Sequence, residues 1–300
     1  MHSEASAPAL VIGGPTASGK SALALALAER TGGEIINADA FQIYRGLPLL
    51  TAQPSPQELT CVPHQLVAEF DLSEPFDAAR YLRIARERIT RSWAAGRLPI
   101  LVGGTGLYIR AVLYGLASGL PGPDPVLRTT LESRPIEDLC NELVSLDPLA
   151  AELIDLKNPR RVIRALEVCI LTGRPFTSFR DTNPVTRPIA GTWISLPRET
   201  LHQKIETRAK QLFKNGVADE VRSALPNIGP NAKQAIGVDA ISEVLLGNCS
   251  EDAAVERIIF QTRQYARRQE TWFRKEPALM ALSPDEAISF CLQRLAALHS

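Results

Sequence analysis

Cysteine is scarce in this chain, and its placement excludes more than its number does. Cys61, Cys140, Cys169, Cys249 and Cys291 lie far apart, form no C-x-x-C pair and are odd in number. A disulfide framework and a clustered zinc site are both excluded, and reduced cysteines in a cytoplasmic protein are the expectation. Long apolar runs are also missing, since none approaches the roughly 18 residues of a membrane span. The start, MHSEASAPAL, has no basic stretch followed by an apolar one, so no signal peptide is expected. Net charge is absent too. Lys plus Arg and Asp plus Glu stand at 33 each, so any pull on a nucleic acid must come from local patches. The apolar fraction of 45% is enough for a sizeable core. At about 150 residues per domain, the length suits one large domain or two smaller ones.

What the chain does have begins with GPTASGKS, residues 14–21, a G-x-x-x-x-G-K-S loop. It lies between an apolar run at 9–12 and an Ala/Leu-rich helix expected over 20–30. In that setting the loop N–H groups and the helix N-terminus converge on anionic oxygens. Gly14, Pro15, Thr16, Ala17, Ser18, Gly19, Lys20 and Ser21 are the candidate phosphate-binding residues. Lys20 can place its ammonium on the terminal phosphate, and Ser21 can offer its hydroxyl to Mg²⁺. Thr31-Gly32-Gly33 stops the helix; a second strand follows over 34–38 and ends at Asp39. A segment with prolines at 48, 54, 56 and 63 reads as a long loop. A helix is expected over 77–93, with Asp77 as its N-cap and an arginine-rich polar face. That face is either solvated or part of a nucleic-acid surface.

A third strand over 98–102 ends in Gly103-Gly104-Thr105-Gly106. Composition changes at 115–125; from 126 to 172 the pattern is helical, and a return strand is expected at 192–196. Helices then run to the end, with 257–275 the most basic. The expected fold is α/β: a P-loop NTPase-like core with a parallel sheet flanked by helices, plus a small all-helical insertion domain. The limits drawn are 7–118 for the first part of the core, 119–188 for the insertion and 189–300 for the return.

One more absence bears on the chemistry. A nucleotide hydrolase needs an acid at the end of a hydrophobic strand, and the 98–102 strand ends in glycines instead. The carboxylate at a strand end near the loop is Asp39. It either caps a turn or faces a bound diphosphate as a general base. Lys157, Arg160, Arg161 and Arg164 form a second cluster, either a solvated helix face or a set of phosphodiester contacts.

Taken together these stretches resemble the tRNA dimethylallyltransferases, also called tRNA isopentenyltransferases. GPTASGKS is similar to that family's own loop. Residues 37–46 (NADAFQIYRG) resemble its D-S-x-Q-[VI]-Y motif, and 51–54 (TAQP) its T-A-K-P. GGTGLY at 103–108 matches outright, NPRRVIRALEV at 158–168 matches the family's insertion-domain motif, and 208–221 fits a further pattern. The cysteine spacing leaves no place for the zinc-binding tail of eukaryotic members, so the bacterial type is expected.

The resemblance implies transfer of a dimethylallyl group from dimethylallyl diphosphate. The acceptor is the exocyclic amine of the adenosine 3′-adjacent to the tRNA anticodon, and Mg²⁺ assists. It implies that Asp39 is the base, with Thr105 positioning the amine or a diphosphate oxygen. Lys20 and Arg208 then steady the leaving diphosphate, and Ser21 and Asp39 hold the metal. It places Asp39, Ala40, Phe41, Gln42, Thr105, Arg128, Arg160, Arg161, Val162, Ile163, Arg164 and Gln234 on the tRNA side. A monomer without membrane contact is expected. Ala40, Phe41, Gln53, Val238 and Asp239 depart from the family pattern, from which we expect retained catalysis with altered tRNA contacts. Two rival activities share the loop: a small-molecule kinase, and a transferase acting on free adenylate.

Overall fold

In the computed structural model, residues 8–117, 119–179 and 188–297 are described. The limits drawn at 7 and 118, and most of the Thr/Pro/Arg-rich loop before the return strand, lie outside them. The chain divides into two compact units, Met1–Tyr114 with Val185–Ser300, and Gly115–Pro184.

The first unit is built on β1 (Leu10–Gly13), β2 (Glu34–Asn37), β3 (His64–Gln65), β4 (Pro99–Gly103), β5 (Ala190–Ile194) and β6 (Met280–Leu282). Among the described residues these form one sheet in the order β3-β2-β4-β1-β5-β6, every pair parallel. Strands β1, β2, β4 and β5 are buried along their whole length. This is why β1 and β4 read as continuous apolar runs rather than alternating ones, while β2 and β5 also bury Glu34, Asn37 and Thr192. The helix Lys20–Thr31 crosses from β1 to β2 and stops at Gly32, whose φ of 64° suits glycine. Asp77 caps the helix Ala78–Ala94 by accepting the Arg80 N–H at 2.8 Å.

Two strands differ from expectation. β3 lies inside the proline-rich segment, and it is too short and too polar to leave a periodic signal. β6 interrupts the expected run of C-terminal helices as a three-residue edge strand beside β5. β5 itself begins two residues before the expected position, because the buried Ala190 and Gly191 pair with β1.

The second unit is helical. Pro125–Glu132, Ile136–Leu146 and Pro159–Thr172 pack around Leu131, Leu139, Leu143, Val162, Ile163 and Leu166. Val162 and Ile163 therefore leave the RNA-facing set as side chains: they are core residues on the inner face of their helix.

Candidate active site

The carboxyl ends of parallel strands, where the chain turns into helices, are where such sheets bind ligands. Three loops meet here: residues 14–21 after β1, 38–42 after β2 and 103–106 after β4. In the first, Gly14 has φ 149° and Gly19 has φ 93°, which bend the backbone so that its amides face inward.

The GGTG turn is more than a flexible corner. A Cβ on Gly103 would strike the Ala38 carbonyl, one on Gly104 the Gln269 carboxamide and one on Gly106 the Trp272 ring. Its missing side chains are what let the second loop and the helix Glu251–Phe273 close on it. Thr105 then ties the loops together. Its N–H donates to Ala38 O at 3.1 Å, and its Oγ1 accepts the Ala40 N–H at 3.0 Å.

The two oxygens of the Asp39 carboxylate stand differently. Oδ1 accepts the N–H groups of Phe41 (2.9 Å) and Gln42 (3.3 Å), a side-chain-to-backbone turn. Oδ2 has no hydrogen-bond partner among the described residues. Gln42 and Gln53 hold this loop from outside. Gln42 Nε2 donates to Thr51 O and Ala52 O at 3.1 and 2.8 Å. Gln53 Nε2 donates to Gln42 O and Tyr44 O at 3.1 and 2.7 Å. The glutamine standing where the family motif carries lysine is thus a backbone clamp in this chain.

Asp39 is also the residue shared by two pockets. One, of about 380 Å³, is polar along Lys20, Ser21, Asn37, Gln42 and His64. The other, of about 680 Å³, sets Arg208, Thr16 and Tyr265 against an apolar wall that includes Leu50, Ile205 and Ile258. Arg208, from the helix Arg198–Lys214, donates to Thr16 Oγ1 at 3.3 Å and to Leu50 O at 3.0 Å. Leu50 is itself held by Glu220, whose two carboxylate oxygens accept the Leu49 and Leu50 N–H groups at 2.7 and 2.9 Å.

Two buried cations, Lys20 and Arg208, lie within electrostatic reach of Asp39. The Lys20 ammonium is folded into the loop and donates to Pro15 O at 3.3 Å. Burial lowers its pKa to about 8; the Asp39 charge works against that, and Arg208 adds to it. Burial also lowers Arg208, again opposed by Asp39. A bound anion favours the protonated lysine, so pyrophosphate affinity should fall as pH rises through about 8. Calorimetry over this range should show proton uptake on binding, and Lys20→Arg, which stays charged, should remove the dependence. An identical pH profile in both proteins would contradict this.

The helix Glu251–Phe273 contributes a face that its basic composition conceals. Ile258, Thr262 and Tyr265 line the larger pocket at helical spacing, and Gln269 follows one turn on. Burial, then the Asp39 charge, raise the Tyr265 phenol well above its usual pKa, while hydrogen bonds with Thr105 and Gln269 pull it partly back. The signal the sequence holds for this face is Thr262, Tyr265 and Gln269 recurring every three or four residues among the arginines.

The remaining expected residues are distributed as follows. Phe41 lines the larger pocket, and Gln234 is exposed in a 3-10 turn, donating to Pro230 O at 3.2 Å. Val238 is fully buried in the main core, so its difference from an aromatic residue is a matter of packing, not of a base-stacking surface. In the helical unit Arg160 and Arg161 are exposed. Arg128 and Arg164 instead grip the fully buried Glu167 at 2.8 and 2.6 Å. Burial alone would raise the Glu167 pKa; the hydrogen bonds from Arg164, the Asp124 N–H and Arg128 outweigh it and lower it. On the helix Ala78–Ala94, Arg80, Arg88 and Arg91 pair with Glu74, Glu69 and Glu87, which favours the solvated face over a nucleic-acid surface.

This arrangement defines a P-loop α/β enzyme with a carboxylate at the end of β2, not β4, beside a pocket with an apolar wall. The family model described as IPP transferase matches residues 42–276. A tRNA dimethylallyltransferase of Streptomyces coelicolor is 40% identical over 99% of this chain and 97% of its own. Another, from Geobacter sulfurreducens, is 42% identical over 90% of each. The crystal structure of a full-length tRNA isopentenylpyrophosphate transferase from Bacillus halodurans aligns with a TM-score of 0.70 at 32% identity, covering 98% of this chain and 99% of that one. A eukaryotic dimethylallyltransferase acting on tRNA aligns with a TM-score of 0.79 at 26% identity, covering 97% of this chain and 78% of that one. The chain belongs to the IPP transferase family.

Proposed function

We propose that the protein transfers a dimethylallyl group from dimethylallyl diphosphate to the exocyclic amine of the adenosine 3′-adjacent to the anticodon of tRNA, releasing pyrophosphate. The observation that carries this is Asp39, with one carboxylate oxygen free, on the shared edge of an anion-binding loop and an apolar-walled pocket.

The residues divide the work as the chemistry requires. An adenine amine is a weak nucleophile because its lone pair is delocalised into the ring, and a carboxylate that takes its proton compensates. Asp39 Oδ2 fills that role while Oδ1 keeps the loop in shape. On the other side the allylic C–O bond breaks with its electron pair going to the diphosphate. The loop amides, Lys20 and Arg208 stabilise the charge that develops there. The wall of Leu50, Ile205 and Ile258 suits a five-carbon chain and excludes water from the allylic cation. No triphosphate is split, so no acid is needed at the end of β4.

Mg²⁺ fits the donors present. Among the described residues no group of three His, Cys, Asp or Glu is assembled. A hard cation here would take the Ser21 hydroxyl, diphosphate oxygens and water. Bound there, it would neutralise charge on the leaving group. The single free oxygen of Asp39 serves the proton in this scheme, which leaves Ser21 as the protein's metal ligand.

A base inside a tRNA loop can be splayed out to reach such a pocket. Arg160 and Arg161 are the exposed cations of the helix Pro159–Thr172, and they are the phosphate contacts we assign. Arg161→Ala should weaken binding of anticodon stem-loop RNA and flatten the slope of log affinity against log salt by about one. Filter binding at several salt concentrations reads this, and an unchanged slope would return Arg161 to the solvated face. None of the described helices is long and apolar enough to cross a membrane.

Pyrophosphate release tests the reaction against the kinase alternative. It should need both dimethylallyl diphosphate and RNA and no ATP. Release of ADP from ATP, with none of pyrophosphate, would favour the kinase.

A further inference from the structure

Gln269 sits near the end of the helix Glu251–Phe273 and is almost fully buried. Its carboxamide is used at both ends. Oε1 accepts the Thr16 N–H of the phosphate loop at 2.9 Å, and Nε2 donates to Gly104 O of the GGTG turn at 2.9 Å. Donor and acceptor demands on opposite sides fix the orientation of the amide. The bond to Thr16 also points that N–H at Gln269, so it is not among the amides facing the diphosphate. Beyond Gly104 the path continues through covalent structure: Thr105 Oγ1 holds the Ala40 N–H, next to Asp39. One side chain therefore links the loop that holds the leaving group to the turn that holds the base.

We propose that Gln269 is a positioning residue that sets the spacing between the diphosphate loop and the Asp39 loop, and so the approach of the acceptor amine to the allylic carbon. The proposal rests on the prenyl-transfer function given above. Prenyl transfer needs the amine, the allylic carbon and the departing oxygen in line, and a displacement of about 1 Å can cost about a hundredfold in rate. Gln269 touches neither substrate, so its removal should lower the rate of the chemical step and leave both binding steps in place.

The chemistry of the bridge allows a test that simple packing would not pass. Gln269→Leu removes the hydrogen bonds to Thr16 and Gly104 and also the one with the Tyr265 phenol, which burial keeps neutral over the pH range used. Gln269→Glu keeps the acceptor for Thr16 but donates to Gly104 O only when the carboxyl is protonated. A carboxyl buried against a carbonyl oxygen titrates above the ordinary carboxylate range. The single-turnover rate of prenylation of anticodon stem-loop RNA is measured from about pH 6 to 9, with wild type alongside. Gln269→Leu should be slower by about a hundredfold at every pH, with affinities for pyrophosphate and RNA within about threefold of wild type. Gln269→Glu should be slow at high pH and recover as pH falls, so that its rate relative to wild type, which itself declines as Lys20 loses its proton near 8, rises steadily with falling pH.

A Gln269→Glu profile parallel to wild type would overturn the proposal. So would an unchanged rate in Gln269→Leu, or an effect confined to KM. If Gln269→Leu fails to fold, the Gln269→Glu profile decides alone. If wild type yields no prenylated adenosine, the reaction is wrong and the proposal falls with it. A productive wild type with unaffected variants removes the proposal only.

Discussion

Asp39→Asn should slow single-turnover prenylation of anticodon stem-loop RNA by about 10²- to 10⁴-fold, with RNA affinity nearly unchanged. The substitution isolates the chemistry because the two oxygens of Asp39 have separate tasks. The asparagine carbonyl can still accept the Phe41 and Gln42 N–H groups, so the loop keeps its turn. What is lost is Oδ2, replaced by an NH₂ group that cannot accept a proton. Asp39→Ala would remove both functions and confuse a distorted loop with a missing base. Quenched-flow rates and filter binding on the same RNA make the comparison. A wild-type rate in Asp39→Asn would remove Asp39 as the base.

Arg208→Gln should have the second largest effect, about 10²- to 10³-fold on kcat. Arg208 faces the phosphate loop through Thr16 and leans on the Leu50 carbonyl, in a pocket whose other wall is apolar. Low local polarity makes its charge count for more as the diphosphate departs than it would in water. Gln can keep a hydrogen bond to Leu50 O or Thr16 but brings no charge. The loss should therefore fall on the bond-breaking step. A raised KM for dimethylallyl diphosphate at constant kcat would instead make Arg208 a ground-state binding group.

Much of this site is legible in the amino-acid sequence. The phosphate loop, Asp39 and the GGTG turn each follow a buried strand, and buried strands of a parallel sheet announce themselves as short apolar runs. Why GGTG needs its glycines is not legible there, because the groups that forbid a side chain come from Ala38, Gln269 and Trp272. The last two lie more than 160 residues further on in sequence, as the Gln269–Gly104 bond records.

The charge of the helix Glu251–Phe273 describes its solvent side, while its work in the site is done by Thr262, Tyr265 and Gln269 on the other side. β3 and β6 escape sequence reasoning for want of length: two or three residues at the sheet's edges give no period to count. In the helical unit, a run of arginines looks uniform in sequence. Only packing distinguishes Arg160 and Arg161, which are exposed, from Arg164, which is held by the buried Glu167. Val162, Ile163 and Val238 make the same point from the apolar side, since motif membership alone cannot say which face of a helix a residue occupies.

The most direct check on the whole scheme is mass spectrometry of nucleosides from anticodon stem-loop RNA incubated with the protein, Mg²⁺ and dimethylallyl diphosphate. Adenosine carrying one five-carbon prenyl unit, at the position 3′-adjacent to the anticodon and nowhere else, is the predicted product. Unmodified RNA, or a prenyl group found only on added free adenylate, would contradict it.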